Sequence, residues 1–224
     1  GDLAHIFDTT VAMENDADAA ALAEAAFGAG RGAQRFIYVT VSTGIGAGLV
    51  FDGRLYRGGS GPPTERANRV GTPTGPLCSC GAYDVWEVRP AGQGMPHGVK
   101  ERAPQANNIT PPVTAQRVCE AAEQGDPLAQ QAVARAARYL GLGLANLITL
   151  FTPDVIALGG GVMRSLHLFE PTIRETIRSM CGFVPHEKTR LVPAALGDNV
   201  GLVGAACAWW HRFEPARFVE PPSR

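Results

Sequence analysis

The sequence lacks the long apolar runs and the one-sided charge that mark several large classes of protein. Its longest apolar stretch, GLGLANLITLF, falls well short of the roughly 20 residues that span a bilayer. No basic-then-apolar leader stands at its start, so we expect a cytoplasmic protein with no membrane partner. The 20 basic and 21 acidic residues leave a net charge of −1, which gives no electrostatic reason to expect nucleic acid as a partner.

Cysteine is scarce, and its pattern argues against a disulfide framework. Five cysteines are scattered over 224 residues, a length that can bury a core without covalent cross-links. We therefore expect reduced thiols. The one close pair, Cys78 and Cys80 in CSCGAYDVWE, leaves three possibilities open: a zinc site, the remains of one, or two ordinary thiols.

Helical and strand patterns alternate along the chain, which predicts an α/β fold. The pair Asp52 and Gly53, between apolar runs, is the strongest short signal for a β-hairpin. Asp126 and Pro127 mark the start of a long, mostly apolar helix. The other predicted elements are a helix in ADAAALAEAAFGAG, a buried strand in RFIYVTVS, a helix in VTAQRVCEAAEQG, strands in DVIALGGGV and TRLVPA, and helices in HLFEPTIRETIRSM and LGDNVGLVGAACAWW.

The middle of the chain shows neither periodicity. Nine of the 17 prolines fall between Pro62 and Pro112, and so long a stretch without pattern is well beyond the ~12–15 residues of typical long loops. We expect an irregular excursion over residues 62–112. It is either a functional loop or a stretch damaged by local frame slips or relaxed constraint.

Three short stretches offer chemistry. STGIGAG (residues 42–48) and LGGGV (residues 158–162) are glycine turns after strands, where backbone amides can approach phosphate oxygens. Neither continues into the Gly-Lys-Ser/Thr of a P-loop, and GIGAG leads into a hairpin, unlike the dinucleotide fingerprint. In ENDADAAALAE, Asp16 beside Asn15 is suited to act as a general base at a bound hydroxyl; the alternative is that one of the two simply caps the helix.

Four segments in order resemble the sugar kinases and repressors called ROK, within the actin/hexokinase superfamily. They are ENDADAAALAEAAFGAG, VTVSTGIGAGLVFDGRLYRGGSG, DVIALGGGV and LGDNVGLVGAA, and the resemblance runs from about Val11 to Trp209. It implies an actin-like ATPase (ribonuclease-H-like) fold, mainly the large C-terminal lobe, with a mixed β-sheet flanked by helices. Residues 1–33 would be a remnant of the small N-terminal lobe and the interlobe helix, 34–208 the large lobe, and 209–224 a C-terminal tail.

The resemblance also implies an activity: ATP-dependent phosphorylation of a hexose, glucose or a related sugar, at its 6-hydroxyl, with ATP and Mg²⁺ as cofactors. Asp16 would be the catalytic base, and Asn15 would hydrogen-bond the neighbouring sugar hydroxyl. Family members usually pair through the large lobe, which makes a homodimer an expectation here. The implied ATP-binding residues are Thr43, Gly44, Gly46, Gly159, Gly160 and Gly161, and the further sugar-binding residues are Glu65, Asn68 and Glu87.

The chain departs from the family pattern in three places. The Asp-x-Gly-Gly-Thr motif that opens the family is absent, so we expect an N-terminally truncated chain with weak or no activity. Asn68 stands where the family has a zinc-binding histidine, and Val85 stands where it has a third cysteine. We therefore expect Cys78 and Cys80 to be a vestigial zinc site that has lost its metal. Two alternatives stay open: a sugar-sensing regulator lacking its helix-turn-helix, or an inactive binding module.

Overall fold

The computed structural model describes residues 2–58, 86, 95–96 and 113–215. Within these residues, five strands form one sheet with the order β3-β2-β1-β4-β5. The strands are β1 (Arg35–Val41), β2 (Ile45–Phe51), β3 (Arg54–Leu55), β4 (Val155–Gly159) and β5 (Arg190–Pro193). The helices are α1 (Asp2–Ile6), α2 (Asp16–Phe27), α3 (Ala115–Glu123), α4 (Pro127–Phe151), α5 (Leu166–Met180) and α6 (Val200–Phe213), with 3₁₀ turns at Gly161–Ser165, His186–Lys188 and Gly197–Asn199.

The sheet is mixed. Strands β1, β2 and β3 form an antiparallel meander, whereas β4 pairs in parallel with both β1 and β5. Asp52 and Gly53 connect β2 to β3 with positive φ angles of 49° and 72°, the backbone that a two-residue hairpin turn requires. The hairpin predicted from the Asp-Gly pair is therefore confirmed.

Side chains of alternating direction give the sheet two buried faces. Ile37, Val39 and Val41 of β1 point to a core shared with α3, α4 and α5. Phe36 and Tyr38 point to the opposite core, which is shared with α2 and α6. The chain therefore folds as a mixed sheet flanked by helices on both faces, which confirms the α/β fold expected from the sequence.

The long helix α4 begins as its sequence predicts. The Asp126 carboxylate accepts the backbone N–H groups of Leu128 and Ala129 at 2.9 and 2.8 Å, and Pro127 occupies the first turn. Although α4 has 25 residues, no helix within the described ranges is long and apolar enough to cross a membrane.

The predicted domain division stays a prediction. The excursion over 62–112 lies outside the described residues except at 86, 95 and 96. Helix α2, which belongs to the proposed small-lobe remnant, packs on β1 and β2 and against α6. Helix α6 runs past the proposed boundary at residue 208 and ends at Phe213.

Helix α2 lies unusually close to the sheet because both surfaces carry very small side chains. A Cβ atom placed on Gly48 of β2 would lie 2.5 Å from the Cβ of Ala21 and 2.6 Å from the carbonyl oxygen of Ala17. Such distances are far below van der Waals contact. The alanine-rich sequence of α2 therefore permits a close approach to β2 as well as favouring a helix.

Substitution of Gly48 by alanine tests this packing. Because the added methyl group meets helix backbone, we expect Gly48→Ala to lower the free energy of unfolding by about 1–3 kcal/mol, the usual cost of overpacking. Gly201→Ala on α6 is the control, since nothing lies within 4 Å of its added Cβ; its helix propensity should leave stability equal or higher. Urea unfolding measures both, and an unchanged midpoint for Gly48→Ala would contradict the close approach.

Candidate active site

The two glycine turns of the sequence meet at one edge of the sheet. Thr40 near the end of β1 lies opposite Gly159 at the end of β4 in the parallel register. Because parallel strands share the direction of their carboxyl ends, the turns that follow them lie side by side. This edge of an α/β sheet, where connections leave in opposite directions, is where ligands usually bind.

The first turn, residues 42–44, follows β1 and leads directly into β2. It is closed by a hydrogen bond from the Ser42 N–H to the Gly44 carbonyl at 2.8 Å. The Thr43 side chain is exposed and Gly44 is half-buried. Thr43 therefore presents its hydroxyl to solvent at the sheet edge, in a position where a ligand can reach it.

The second turn approaches the first so closely that it requires glycine. Gly160 has φ 90°, and a Cβ atom on it would lie 2.4 Å from the Val41 carbonyl oxygen. Gly161 is exposed, with nothing within 4 Å of an added Cβ. The turn is therefore packed on one side by β1 and open on the other, which leaves its backbone accessible.

Two of the other predicted nucleotide-binding glycines contact protein in this structure. A Cβ on Gly159 would lie 2.4 Å from the Tyr38 hydroxyl oxygen, and one on Gly46 would lie 2.9 Å from the Cβ of Ala17. Gly46 is part of strand β2 and not of the turn. Close packing accounts for glycine at both positions, and their role toward a nucleotide stays a prediction.

Asn15 and Asp16, called here the Asn/Asp corner, stand at the start of α2. The Asn15 side-chain oxygen accepts the N–H groups of Ala17 and Asp18 at 3.0 and 3.2 Å. Asn15 is therefore the helix cap, and its side-chain NH₂ group is the part suited to donate to a ligand. Asp16 is exposed in the first turn, and one of its carboxylate oxygens accepts the Ala17 N–H at 2.8 Å.

The close packing of α2 brings the Asn/Asp corner to the same edge as the glycine turns. Ala17, the residue after Asp16, contacts Gly46, and Gly46 pairs with Thr40 opposite Gly159. The electrostatic environment of Tyr38 on β1 agrees with this placement of Asp16. Burial raises the pKa of Tyr38, a hydrogen bond with Thr40 lowers it, and the negative charges of Glu24 and Asp16 raise it further.

Sequence reasoning missed Glu24, a fully buried glutamate in α2. Its carboxylate accepts three backbone N–H groups: Ala29 at 2.8 Å, Ala195 at 3.1 Å and Leu196 at 2.8 Å. Leu196 directly precedes the turn Gly197–Asn199. Glu24 therefore joins the end of α2 to the loop that leads into α6. A glutamate within a run of alanines carries no local signal of this role, because two of its three partners are 171 and 172 residues away.

Replacing Glu24 tests its structural role. Glu24→Gln removes the charge and turns an NH₂ group toward backbone donors, so we expect a loss of about 2–4 kcal/mol in the free energy of unfolding. Glu175→Gln, an exposed position on α5, is the matched control and should change stability by less than about 0.5 kcal/mol. Urea denaturation of the three proteins decides the question, and equal midpoints would show that the buried carboxylate is dispensable.

A second cluster that sequence reasoning missed surrounds His211 of α6. Its Nε2 accepts the backbone N–H of Leu55 at 3.3 Å, which requires an unprotonated Nε2. Burial lowers the pKa of His211 below its ordinary 6.5, Arg57 and Arg54 lower it too, and Glu14 acts in the opposite direction. The folded chain therefore favours neutral His211.

The lowered pKa has a consequence for stability. Between the folded-state pKa and 6.5, the unfolded chain binds more protons at His211 than the folded chain does. The contribution of His211 to stability is therefore present above pH 6.5 and is lost as pH falls. His211→Gln keeps an acceptor for Leu55 without titrating. We expect the variant to lose less thermal stability than wild type between about pH 7.5 and about pH 5.5. His5→Gln, at an exposed position, should behave as wild type; equal pH dependence in all three proteins would contradict the assignment.

The remaining predicted site residues lie outside the described residues: Glu65, Asn68, Cys78, Cys80 and Glu87. Within the described ranges, no group of three His, Cys, Asp or Glu side chains could hold a metal ion. The loss of zinc stays a prediction.

Trp86, directly before Glu87, is the one described residue of CSCGAYDVWE. Its indole N–H donates to the Tyr139 carbonyl at 2.9 Å. The ring fills the space beside Gly143, where an added Cβ would lie 2.0 Å from it. Trp86 is therefore attached to helix α4.

A mixed sheet between helices, with two glycine turns and a helix start at the carboxyl ends of its parallel strands, has the architecture of an actin-like ATPase. A ROK glucokinase from Streptomyces griseus, solved in complex with glucose and AMPPNP, superimposes with a TM-score of 0.80 at 34% identity; the match covers 91% of this chain and 69% of that one. The expected actin-like fold is confirmed.

The chain belongs to the ROK family, whose profile matches residues 1–212. It is 35% identical over 208 residues to the glucokinase of Streptomyces coelicolor, a match that covers 88% of this chain and 66% of that protein. It is also 30% identical over 198 residues to the xylose repressor of Bacillus spizizenii, covering 88% of this chain and 50% of the repressor. The chain thus spans less than two thirds of these relatives.

Proposed function

We propose that this chain carries the catalytic base and the nucleotide turns of a ROK sugar kinase that phosphorylates a hexose at its 6-hydroxyl with ATP. One observation carries the proposal: the exposed carboxylate of Asp16 and the two glycine turns lie at one edge of the sheet. Relatives named glucokinase, one of them solved with glucose and AMPPNP, support the substrates. Glucose is the default sugar, and a homodimer remains part of the proposal.

Each part of the site has a task in such a transfer. Asp16 accepts the proton of the sugar 6-hydroxyl as that oxygen attacks the terminal phosphorus, and the NH₂ group of Asn15 holds a neighbouring sugar hydroxyl. Thr43 and the backbone of the first turn hold phosphate oxygens, and the second turn lines the adenosine pocket. Since phosphoryl transfer depends mainly on positioning and charge neutralisation, so few reactive groups suffice.

Mg²⁺ bound to the ATP phosphates neutralises their charge in reactions of this class. The described residues hold no acidic cluster for a metal, whereas Asp16 is an exposed oxygen donor at the sheet edge. This donor set fits a metal that is held mostly by phosphate oxygens and water, as Mg²⁺ commonly is. Asp16 is the protein group we assign near it.

A sugar-sensing regulator is the second candidate, and the match to the xylose repressor over the same part of the chain supports it. A regulator needs the sugar-binding donor of Asn15 but no base at Asp16. The two functions therefore differ in what the Asp16 carboxylate does. A chain that binds the hexose without phosphorylating it would favour the regulator.

Asp16→Asn separates these readings. We expect turnover of glucose to fall by about 10²–10⁴-fold, because general base catalysis contributes this much, while the ATP dissociation constant stays nearly unchanged. A coupled ADP-release assay gives turnover, and calorimetry gives both binding constants. Asp8→Asn is the control, since Asp8 is exposed and its φ of 45° suits asparagine equally. Retained turnover in Asp16→Asn would remove Asp16 from the mechanism.

A further inference from the structure

Glu14, the residue directly before the Asn/Asp corner, has a nearly buried side chain that makes three charge-assisted contacts. Its Oε1 accepts a hydrogen bond from Nη1 of Arg57 at 3.0 Å, and its Oε2 pairs with Nη2 of the same guanidinium. Oε1 also accepts the backbone N–H of Asn15 at 3.1 Å. The carboxylate is 8% exposed and the arginine 37% exposed.

The contact to the Asn15 N–H acts on the corner itself. Asn15 has the extended backbone of a helix cap, with φ −63° and ψ 143°, and this conformation sets the direction from which the chain enters α2. A carboxylate that holds the Asn15 N–H therefore also sets where Asn15 and Asp16 point. The acceptor must itself be fixed in place to do so, and the two-point contact with Arg57 fixes it.

Arg57 connects the corner to the hairpin that carries the first glycine turn. It follows β3 by two residues, and β3 pairs with β2, which begins at the end of that turn. At the other end of β2, Gly46 contacts Ala17, the residue after Asp16. The Asn/Asp corner is therefore held to the strands β2 and β3 at two points. Arg57, just after β3, holds the side before Asp16, and Gly46 of β2 holds the side after it.

An ordinary surface ion pair would be worth little and would have no such role. Glu14 differs because it is nearly buried and Arg57 is its counter-charge; removing Arg57 leaves a nearly buried carboxylate without that counter-charge. Glu14 also raises the pKa of Arg57, chiefly through their hydrogen bonds. The other titratable groups around the pair are Asp18, which acts on Arg57, and His211, on which Arg57, Glu14 and Arg54 act.

We propose that Glu14 is a positioning residue for Asn15 and Asp16, with Arg57 as its anchor. The proposal deepens the proposed function and rests on it. Glu14 touches neither sugar nor nucleotide; it sets the distance and direction of the base relative to the phosphate turn. A displacement of about 1 Å at a reacting group is enough to cost roughly 100-fold in rate.

Steady-state kinetics of Glu14→Gln, Arg57→Ala and the double variant test this positioning role, with each change made in the protein as its gene encodes it. We expect each single change to lower kcat/KM for glucose by roughly 10–100-fold, with the KM for ATP within about twofold of wild type. The double variant should be no worse than the worse single one, because the two residues act as one unit. Arg57→Lys keeps the charge but loses the two-point contact, and should fall between wild type and Arg57→Ala.

Two comparisons separate positioning from general stability. Glu170→Gln and Arg174→Ala break an exposed ion pair of similar chemistry on α5, and both should keep wild-type kinetics. Melting temperatures show whether each variant is folded at the assay temperature. If Glu14→Gln is not folded there, the kinetics of Arg57→Lys take its place in the test. Wild-type kcat/KM for glucose in Glu14→Gln, or an equal loss for glucose and ATP, would overturn the proposal.

The same assays distinguish failure of this inference from failure of the proposed function. If wild type phosphorylates glucose and Asp16→Asn does not, unchanged kinetics in Glu14→Gln disprove the positioning role and leave the proposed function standing. If wild type neither phosphorylates nor binds glucose, both proposals fail. If wild type binds glucose without turnover, the kinase proposal fails, and the glucose dissociation constant of Glu14→Gln, expected to rise at least several-fold through Asn15, still decides the inference.

Discussion

The close packing of helix α2 on strand β2 is the constraint on which the candidate site depends. Small side chains on both surfaces allow the contact, with Ala17 and Ala21 lying against Gly46 and Gly48. Because α2 begins at Asp16, holding the helix against the sheet also sets the position of that residue. Asp16 therefore comes to the edge where β1 and β4 end.

Polar contacts complete this placement at both ends of the helix. Near its end, the buried Glu24 carboxylate holds Ala195 and Leu196 of the loop before α6. At its start, Glu14 holds Asn15 and is held by Arg57. Apolar packing is not directional in itself, so the hydrogen bonds at the two ends of α2 reinforce the position along the sheet that the contacts of its small side chains set.

Two carboxylates of α2 illustrate how position decides chemistry. Glu24 is buried, and its oxygens are occupied by backbone N–H groups, so it can only serve the structure. Asp16, eight residues earlier in the chain, is exposed at the helix start, where one of its oxygens accepts the Ala17 N–H and the exposed carboxylate can reach a ligand. The family includes both kinases and repressors on this one fold, so function follows from such site residues and not from the architecture.

Local sequence determined the elements whose signals are local. The turn at Asp52 and Gly53, the cap at Asp126 and the run of small residues in α2 each act within a few neighbouring residues, so their pattern predicts them. The order of motifs also identified the family. The register that sets Thr40 beside Gly159 and the partners of Glu14, Glu24 and His211 were decided only by the tertiary structure. The long-range contacts among these join residues from 43 to 172 positions apart, and no periodicity within one segment carries information about a partner in another.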